Sequence, residues 1–430
     1  MNLPPVVLRR LVGPFSRIVG RYLLTSRRLA WATLGTVLAA GPTAAQDFTG
    51  DWRGVADGTV ATLRILRDSG TLHGTVLAPS WRAEAIPFSE IVTAGDSIML
   101  TIPIEGAVAV LRGALSPDGA LLLGRVVAGN AVAGAFEFAR EGTASAALIS
   151  EAFVERSRTS EVFADPDSAA LITSDIELFW DVYDRAPPER LEVWLRREYL
   201  NRGTQGLRDF IRGRILSAVD LAARIRSDRS RYDAARPSTE RVYEMESQIR
   251  ATFHALKTRY PDAVFPDVYF VVGRFNTGGT VSPAGLLIGA EMYPDPARLP
   301  MIVAHELIHY QQPPGGGDLT LLERAFREGS ADFVGELISG QRMNAAAQEY
   351  GRAHEAELWT EFRSVMRGTD ATGWLYGTPP PGRPADLGYF IGYRIAEAYY
   401  AQEEDKAAAL RDILRVRGVE RILAASGYAP

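Results

Sequence analysis

Polar and apolar residues alternate along residues 48–140, the pattern of strands that have one buried face. Ala61, Leu63 and Ile65 are separated from one another by single polar residues, and turn sequences such as Ser116-Pro-Asp-Gly119 interrupt the alternation. Short strands at this spacing predict an antiparallel sandwich or small barrel of about seven or eight strands. We assign this antiparallel β module to residues 46–141.

The hydrophobic period lengthens to that of a helix after a short linker at residues 141–145. Apolar residues recur at helical spacing in Ile172–Tyr183, Leu191–Leu200 and Leu207–Ile225. These segments predict a helical subdomain over residues 146–260.

A mixture of short apolar runs and helical patterns follows Pro261. Val268–Val272 and Gly285–Gly289 predict buried strands, and helical segments then continue to the C-terminus. Residues 261–430 are therefore predicted to be mostly helical with a small sheet. The fold class predicted for the whole chain is multidomain α+β.

The first 45 residues have the composition of an export signal peptide. They contain six arginines and neither an acidic residue nor a lysine, and Leu29–Ala40 is apolar. Thr43-Ala44-Ala45 matches a small-residue cleavage site. The apolar run is short for a membrane span, so we expect no stable membrane anchor. Arg27-Arg28 leaves the Sec and twin-arginine routes both open, and either one leads to a periplasmic or secreted protein.

The charge of the chain argues against nucleic acid as a partner. The formal net charge is −5, and without the six N-terminal arginines it is −11, with 41 basic and 52 acidic residues left. Phosphate binding needs clustered positive charge, which this balance does not favour. Cysteine is absent from the sequence, so any metal site must use nitrogen and oxygen ligands.

The motif that carries chemistry is His305-Glu306-Leu307-Ile308-His309. Two histidines four residues apart lie on one face of a helix, so both rings can reach one metal ion. Glu306 lies beside the first histidine, where it can accept a proton from a water molecule. The apolar run Met301–Ala304 predicts that this helix is buried, and the Pro- and Gly-rich stretch 313–317 predicts its end.

A hydrolytic zinc site takes three protein ligands and keeps one position for water. Glu328 supplies the third ligand, on a helix that we predict to begin with Asp318 as its N-cap. Asp332 lies one turn further along the same face, where it can accept a hydrogen bond from a ligand imidazole.

Three rival ligands are present in the same part of the chain. Glu323 has no acidic residue four positions later, and Glu336 lies two turns beyond Glu328. His354 belongs to a polar helical run and is the third alternative, as a ligand or as a donor to the substrate.

The arrangement of these residues resembles the gluzincin clan of zinc metallopeptidases, whose signature is H-E-x-x-H followed by a glutamate ligand with an acid four residues later. Within that clan, Met301–Gln311, Glu328–Asp332 and Leu387–Tyr393 look most like bacterial predicted zinc-dependent proteases. The resemblance implies a thermolysin-like, mostly helical catalytic region over residues 261–430.

The resemblance also implies roles for individual residues. His305, His309 and Glu328 become the ligands of one Zn2+ per chain, Glu306 the general base, and Asp332 the partner of a ligand histidine. Gly279–Ala290 becomes the strand at the edge of the cleft, with a simple hairpin as the alternative for this segment.

An oxyanion donor is the remaining part of the implied site, and the clan places a tyrosine or histidine for it on a later helix. Tyr389 is our first choice and Tyr393, one turn further on, the second. The alternative is that both tyrosines belong to the core. The loop 368–384 is predicted to form a cleft wall or lid, without assigned residue roles.

The function predicted from the sequence is therefore that of an exported zinc-dependent peptidase acting on a peptide or protein substrate. Two other classes stay open at this point. One is a non-catalytic protein in which zinc staples the helices while the β module binds an envelope ligand. The other is a zinc hydrolase of a non-peptide amide or ester.

Overall fold

The structure is a computed structural model that describes residues 47–56, 59–78, 84–104, 107–128, 131–146, 162–313, 319–376 and 379–430. The predicted export signal and Asp318 lie outside these residues. The chain divides into two compact units. Of the described residues, the first unit contains 47–146 with its gaps, 182–202 and 208–224, and the second contains 162–181, 203–207 and 225–430 with its gaps. The domain limits derived from the sequence stay predictions.

The first unit is built on one antiparallel sheet, which in the described ranges has nine strands in the order β4-β3-β2-β1-β9-β8-β7-β6-β5. The strands are β1 (Gly50–Ala56), β2 (Thr59–Asp68), β3 (Thr71–Leu77), β4 (Ile86–Pro87), β5 (Glu90–Ala94), β6 (Ser97–Ile104), β7 (Ala107–Leu115), β8 (Leu121–Ala128) and β9 (Ala131–Arg140). Alternate residues of these strands, such as Trp52, Leu63 and Leu100, are buried in one core. The period of two in the sequence therefore marks the inner face of this sheet.

The sheet is curled into a half-barrel. β4 contacts β6, and β3 contacts β5, although these strands are far apart in the order of the sheet. Gly113 and Gly124 face each other on β7 and β8, and a β-carbon on either would lie within 2.6 Å of the Phe136 ring. The missing side chains let the sheet bend over that ring. The antiparallel β prediction is confirmed, but the sandwich alternative is wrong, because the strands pair in one continuous sheet.

The second unit contains a four-stranded sheet in the order β11-β13-β15-β14 and a two-stranded pair of β10 and β12. These strands are β10 (Val162–Phe163), β11 (Leu171–Ile172), β12 (Phe265–Pro266), β13 (Val268–Val271), β14 (Gly279–Ser282) and β15 (Gly285–Gly289). β13 and β15 are parallel and fully buried, which explains their continuous apolar sequences. β14 pairs antiparallel with β15 and is the outer strand of this described sheet.

Helices make up most of the remaining described chain. In order they are α1 (Ser174–Arg185), α2 (Leu191–Trp194), α3 (Gln205–Phe210), α4 (Ala218–Ser227), α5 (Arg229–Thr239), α6 (Glu246–Arg259), α7 (Leu299–Gln311), α8 (Leu321–Ser339), α9 (Ala345–Ala353), α10 (Glu355–Val365), α11 (Leu387–Gln402), α12 (Lys406–Arg415) and α13 (Val419–Ser426). Turns of π-helix, Leu195–Leu200 and Ile211–Ile215, extend α2 and α3. The multidomain α+β organisation is confirmed. Within the part of the chain that the structure describes, no helix has both the length and the apolar character needed to cross a membrane.

The helix α8 begins at a capping box. The Thr320 side chain accepts a hydrogen bond from Glu323 N, and the Glu323 carboxylate accepts one from Thr320 N. These two reciprocal bonds satisfy backbone N–H groups that the first turn of a helix otherwise leaves free. The N-cap is therefore Thr320, and the sequence-based choice of Asp318 is wrong.

The helices α8 and α11 pack with their backbones in close contact at two glycines. A β-carbon on Gly329 would lie 2.1 Å from Tyr393 N, and one on Gly392 would lie 1.8 Å from Ala325 O. Any larger residue at either position would force the helices apart. Because Glu328 precedes Gly329, this contact fixes the place of the third predicted ligand.

Candidate metal centre

The structure brings the three predicted metal ligands together. His305 and His309 lie on one face of α7, with ring centroids 4.6 Å apart, and α8 places Glu328 opposite them. Glu328 Oε2 is 3.0 Å from His309 Nε2 and 3.8 Å from His305 Nε2. One ligand atom from each of the three residues lies within 4.8 Å of the other two. This spacing suits a single ion bound by three side chains.

Asp332 lies next to His305. Its Oδ1 is 2.8 Å from His305 Nδ1, in a short contact that is bent away from the ideal hydrogen-bond direction. The other oxygen, Oδ2, accepts a hydrogen bond of 2.7 Å from the Asn344 amide. Because a carboxylate only accepts, Asp332 favours a proton on Nδ1, and Nε2 is the ring nitrogen that faces Glu328 and that a metal ion would use.

His309 has a different partner, which the sequence analysis missed. His309 Nδ1 is 2.9 Å from Gln312 Oε1, while Gln312 Nε2 donates to the carbonyl of Arg327 and to Ser330 Oγ. The Arg327 carbonyl can only accept, so the amide orientation is fixed and its oxygen faces the imidazole. His309 can therefore donate from Nδ1 to Gln312, which leaves Nε2, 3.0 Å from Glu328 Oε2, as the nitrogen that a metal ion would use.

Two imidazole Nε2 atoms and a carboxylate oxygen thus converge at this point. Burial disfavours the charge on His305, but the contact with Asp332 and the charges of Glu306 and Glu328 raise its pKa to about 9. Burial opposes ionisation of Glu328, yet the two histidines and the Tyr376 hydroxyl hold its pKa at about 2. The surroundings therefore favour positive charge between these side chains, which fits a zinc ion.

Glu306 is buried next to the first strand residue of β14. Its side chain is 6% exposed, and a β-carbon on Gly279 would lie 2.5 Å from Glu306 Oε1 and 2.7 Å from its Cγ. Only a residue without a side chain leaves this space to the carboxylate. The predicted general base therefore lies between the metal-binding residues and the edge strand.

The two tyrosines proposed as oxyanion donors have different surroundings. The Tyr389 ring lies parallel to His305, with centroids 6.5 Å apart, and burial raises the pKa of its hydroxyl far above the usual range. The Tyr393 hydroxyl donates to Glu336 Oε2 at 3.0 Å, and Glu336 is in turn paired with Arg342. The structure thus places Tyr389 next to the predicted metal ligands, while the Tyr393 hydroxyl is bound to Glu336.

Tyr376 is a second residue whose place the sequence did not indicate. Its hydroxyl donates to Glu328 Oε1, and its ring meets the Tyr389 ring edge-on at 6.3 Å. The Tyr376 backbone has a positive φ of 55°, and its N–H donates to Asp386 Oδ1 at 3.3 Å. This uncommon conformation aims the side chain at the ligand carboxylate.

The three rival ligands do not join the group. Glu323 is used in the capping box of α8, and Glu336 binds Arg342 and Tyr393. His354 Nδ1 lies 2.9 Å from the Tyr350 carbonyl, and its ring stacks on Tyr350.

Comparison with protein families supports a zinc protease. Residues 276–414 match the model of a family described as predicted Zn-dependent protease (DUF2268). The matched stretch is less than half of the chain, and it contains the H-E-x-x-H motif, Glu328 and Asp332. Searches of curated proteins and of solved structures gave no match.

Proposed function

We propose that this protein is a zinc-dependent peptidase in which His305, His309 and Glu328 bind one zinc ion and Glu306 is the general base. The observation that carries the proposal is the convergence of two imidazole nitrogens and one carboxylate oxygen within 4.8 Å of one another, with an acceptor oxygen next to each Nδ1 atom. The similarity of residues 276–414 to predicted zinc-dependent proteases agrees with this choice of metal and reaction.

Zinc in a site of this kind acts as a Lewis acid and makes a water molecule more acidic. Glu306 accepts the proton of the attacking water and then delivers it to the leaving amine, so that the peptide bond is hydrolysed without a covalent enzyme intermediate. Its burial against Gly279 restricts the positions that the carboxylate can take.

The negative charge that forms on the substrate carbonyl oxygen requires a hydrogen-bond donor. Tyr376 is the better candidate, because its hydroxyl already reaches Glu328. Tyr389 packs against Tyr376 and His305, so it supports both the donor and a ligand.

The edge strand supports a peptide as the substrate class. β14 pairs with β15 on one side only within the described sheet, and it begins at the residue that contacts Glu306. An extended peptide that hydrogen-bonds to its outer side would bring a peptide bond next to the general base, as in strand addition.

Metal content is the experiment that tests the site. We expect about one zinc per chain in the purified protein by mass spectrometry, and loss of zinc in His305→Ala, because three ligands are needed for stable binding. The control is His354→Ala, a histidine outside the group, which should keep the metal. A folded wild type that cannot be loaded with zinc contradicts the proposal, and zinc without hydrolysis of any peptide in a library favours a structural zinc.

We also propose that the protein is exported, on the composition of residues 1–45 alone. The test is to express the full chain in a bacterium and to sequence the N-terminus of the protein outside the cytoplasm. A mature chain that begins near Gln46 is expected. An intact N-terminus on protein retained in the cytoplasm contradicts export.

A further inference from the structure

A buried carboxylate outside the metal centre holds the loop that leads into β14. Glu291 follows β15 in a short 3₁₀ turn and is 2% exposed. Its Oε1 accepts a hydrogen bond of 3.2 Å from Phe275 N, while Oε2 has no hydrogen-bond partner among the described residues. Burial of a carboxylate raises the free energy of the folded state, so we expect Glu291 to stabilise the structure around it in return.

The loop between β13 and β14, residues 272–278, is held from its other side by α5. The Tyr232 hydroxyl donates to the carbonyl of Gly273 at 2.8 Å, and its ring meets the Phe275 ring edge-on at 4.9 Å. The Arg231 guanidinium lies 4.1 Å from the centre of the Phe275 ring. Phe275 has a φ of 57°, which costs a residue with a side chain on the order of 1 kcal/mol. Contacts on both sides therefore keep the loop in a conformation it would not adopt alone.

The end of this loop sets the start of the edge strand. Gly289 N donates to the carbonyl of Gly278 at 3.1 Å, and a β-carbon on Gly289 would lie 2.2 Å from Thr277 O and 3.3 Å from Glu291 Oε2. Gly279, which follows Gly278 in the chain, is the residue packed against Glu306. A continuous series of contacts thus connects the Glu291 carboxylate with the general base.

We propose that Glu291 is a positioning residue that locks the loop 272–278 and so fixes β14 as the docking edge for the substrate backbone. The inference rests on the proposed peptidase function, since it concerns how that site binds a peptide. Glu291 Oε1 is already used by Phe275 N–H and the side chain is buried, so the carboxylate acts on the loop and not on a substrate amine.

Hydrogen exchange measured by mass spectrometry tests the lock without any assay of activity. Glu291→Met keeps the length of the side chain but removes the oxygen that accepts from Phe275 N, and Tyr232→Phe removes the bond to Gly273 from the opposite side. We expect about tenfold faster amide exchange in residues 272–282 in both variants, with α7 still protected and about one zinc per chain. The matched control is Asp175→Asn, another buried carboxylate, which binds Thr204 and should leave this segment unchanged. Unchanged exchange in both lock variants overturns the inference.

Kinetics on a long peptide separate positioning from a general loss of stability. In Glu291→Met and Tyr232→Phe we expect KM to rise about tenfold and kcat to stay within about twofold, because the lost interaction is one of substrate binding. An unchanged KM, or a loss confined to substrates with a free N-terminus, contradicts the docking role. A wild type that binds zinc but hydrolyses no peptide would instead reject the proposed function, and the exchange experiment would still decide whether Glu291 locks the loop.

Discussion

Gln312 faces His309 through its side-chain oxygen, 2.9 Å from Nδ1, and its amide nitrogen is held by the helix that carries Glu328. The amide therefore connects His309 with the helix that carries Glu328. The two histidines are supported differently, since His305 meets a carboxylate and His309 a neutral amide. Two carboxylate partners would bring more negative charge to the proposed metal site than this pair of acceptors does.

Replacement of Gln312 should weaken the metal site. We expect Gln312→Leu to reduce zinc affinity about 10- to 100-fold, because the ring of His309 loses the acceptor that sets its tautomer. A competition titration with a chromophoric chelator measures this affinity. Gln311→Leu is the matched control, since that neighbouring amide bonds to the backbone of Val264 and should change stability only. Equal zinc affinity in the two variants would contradict the role of Gln312.

Replacement of Glu306 should abolish hydrolysis without loss of metal. Glu306→Gln retains the shape of the side chain but cannot accept the proton, so kcat should fall by roughly three or more orders of magnitude. Zinc content should stay at about one per chain. Glu323→Gln, at a helix cap of α8, serves as the comparison and should keep kcat while lowering the melting temperature. Wild-type turnover in Glu306→Gln would reject the mechanism.

A methyl group at Gly279 should interfere with the general base. In Gly279→Ala the new β-carbon would occupy space 2.5 Å from Glu306 Oε1, so the carboxylate must move. A displacement of about 1 Å lowers kcat about a hundredfold. Val281→Ala, on the same strand with a partly exposed side chain, should have little effect. Steady-state kinetics on one peptide compares the two variants, and similar kcat values for both would count against the contact.

The tyrosine hydroxyls should differ in their effect on turnover. Tyr376→Phe removes the hydroxyl that reaches Glu328, and we expect kcat to fall about a hundredfold with zinc retained. Tyr393→Phe loses only its bond to Glu336, which should lower the free energy of unfolding by about 1 kcal/mol and leave kcat nearly unchanged. The reverse order of effects on kcat would restore Tyr393 as the oxyanion donor.

The buried Glu291 should make stability depend on pH. Burial raises its pKa from 4.5 to about 7, so between these values the folded protein holds a proton that the unfolded chain has released. The free energy of unfolding should therefore fall as the pH rises from about 4.5 to 7, by up to about 3 kcal/mol from this group. Urea titrations at several pH values, in a chelating buffer, measure the free energy of unfolding. Glu291→Gln, whose side chain does not titrate, is the comparison. The same pH dependence in both proteins would contradict the assignment.

Strands and helices could be predicted from the sequence where a local pattern of polar and apolar residues determines them. Alternation in residues such as Ala61, Leu63 and Ile65 predicted the sheet, and the apolar run before His305 predicted a buried helix. The order of the strands could not be predicted, because the pairing of β9 with β1 depends on contacts between distant parts of the chain. The capping box of Thr320 and Glu323 was readable from its spacing and was overlooked.

Within the candidate site, sequence spacing could predict only those residues that share one face of a helix. His305 and His309 share a face by their spacing of four, and Gln312 lies three residues after His309, close enough on that face to have been noticed. Tyr376 offered no such signal, because it lies in a loop without periodicity and reaches Glu328 through a positive φ. The different partners of Tyr389 and Tyr393 depend on how α11 packs, which spacing alone does not give.

The contact of Gly329 with α11 has a consequence for how such a protein can change over time. The backbone that carries Glu328 is held by main chain touching main chain, so its place does not depend on the sizes of the side chains around the site. Substitutions among those side chains would therefore leave this crossing of the two helices unchanged. Gly329 and Gly392 are the exceptions, because a side chain at either position would push the two helices apart.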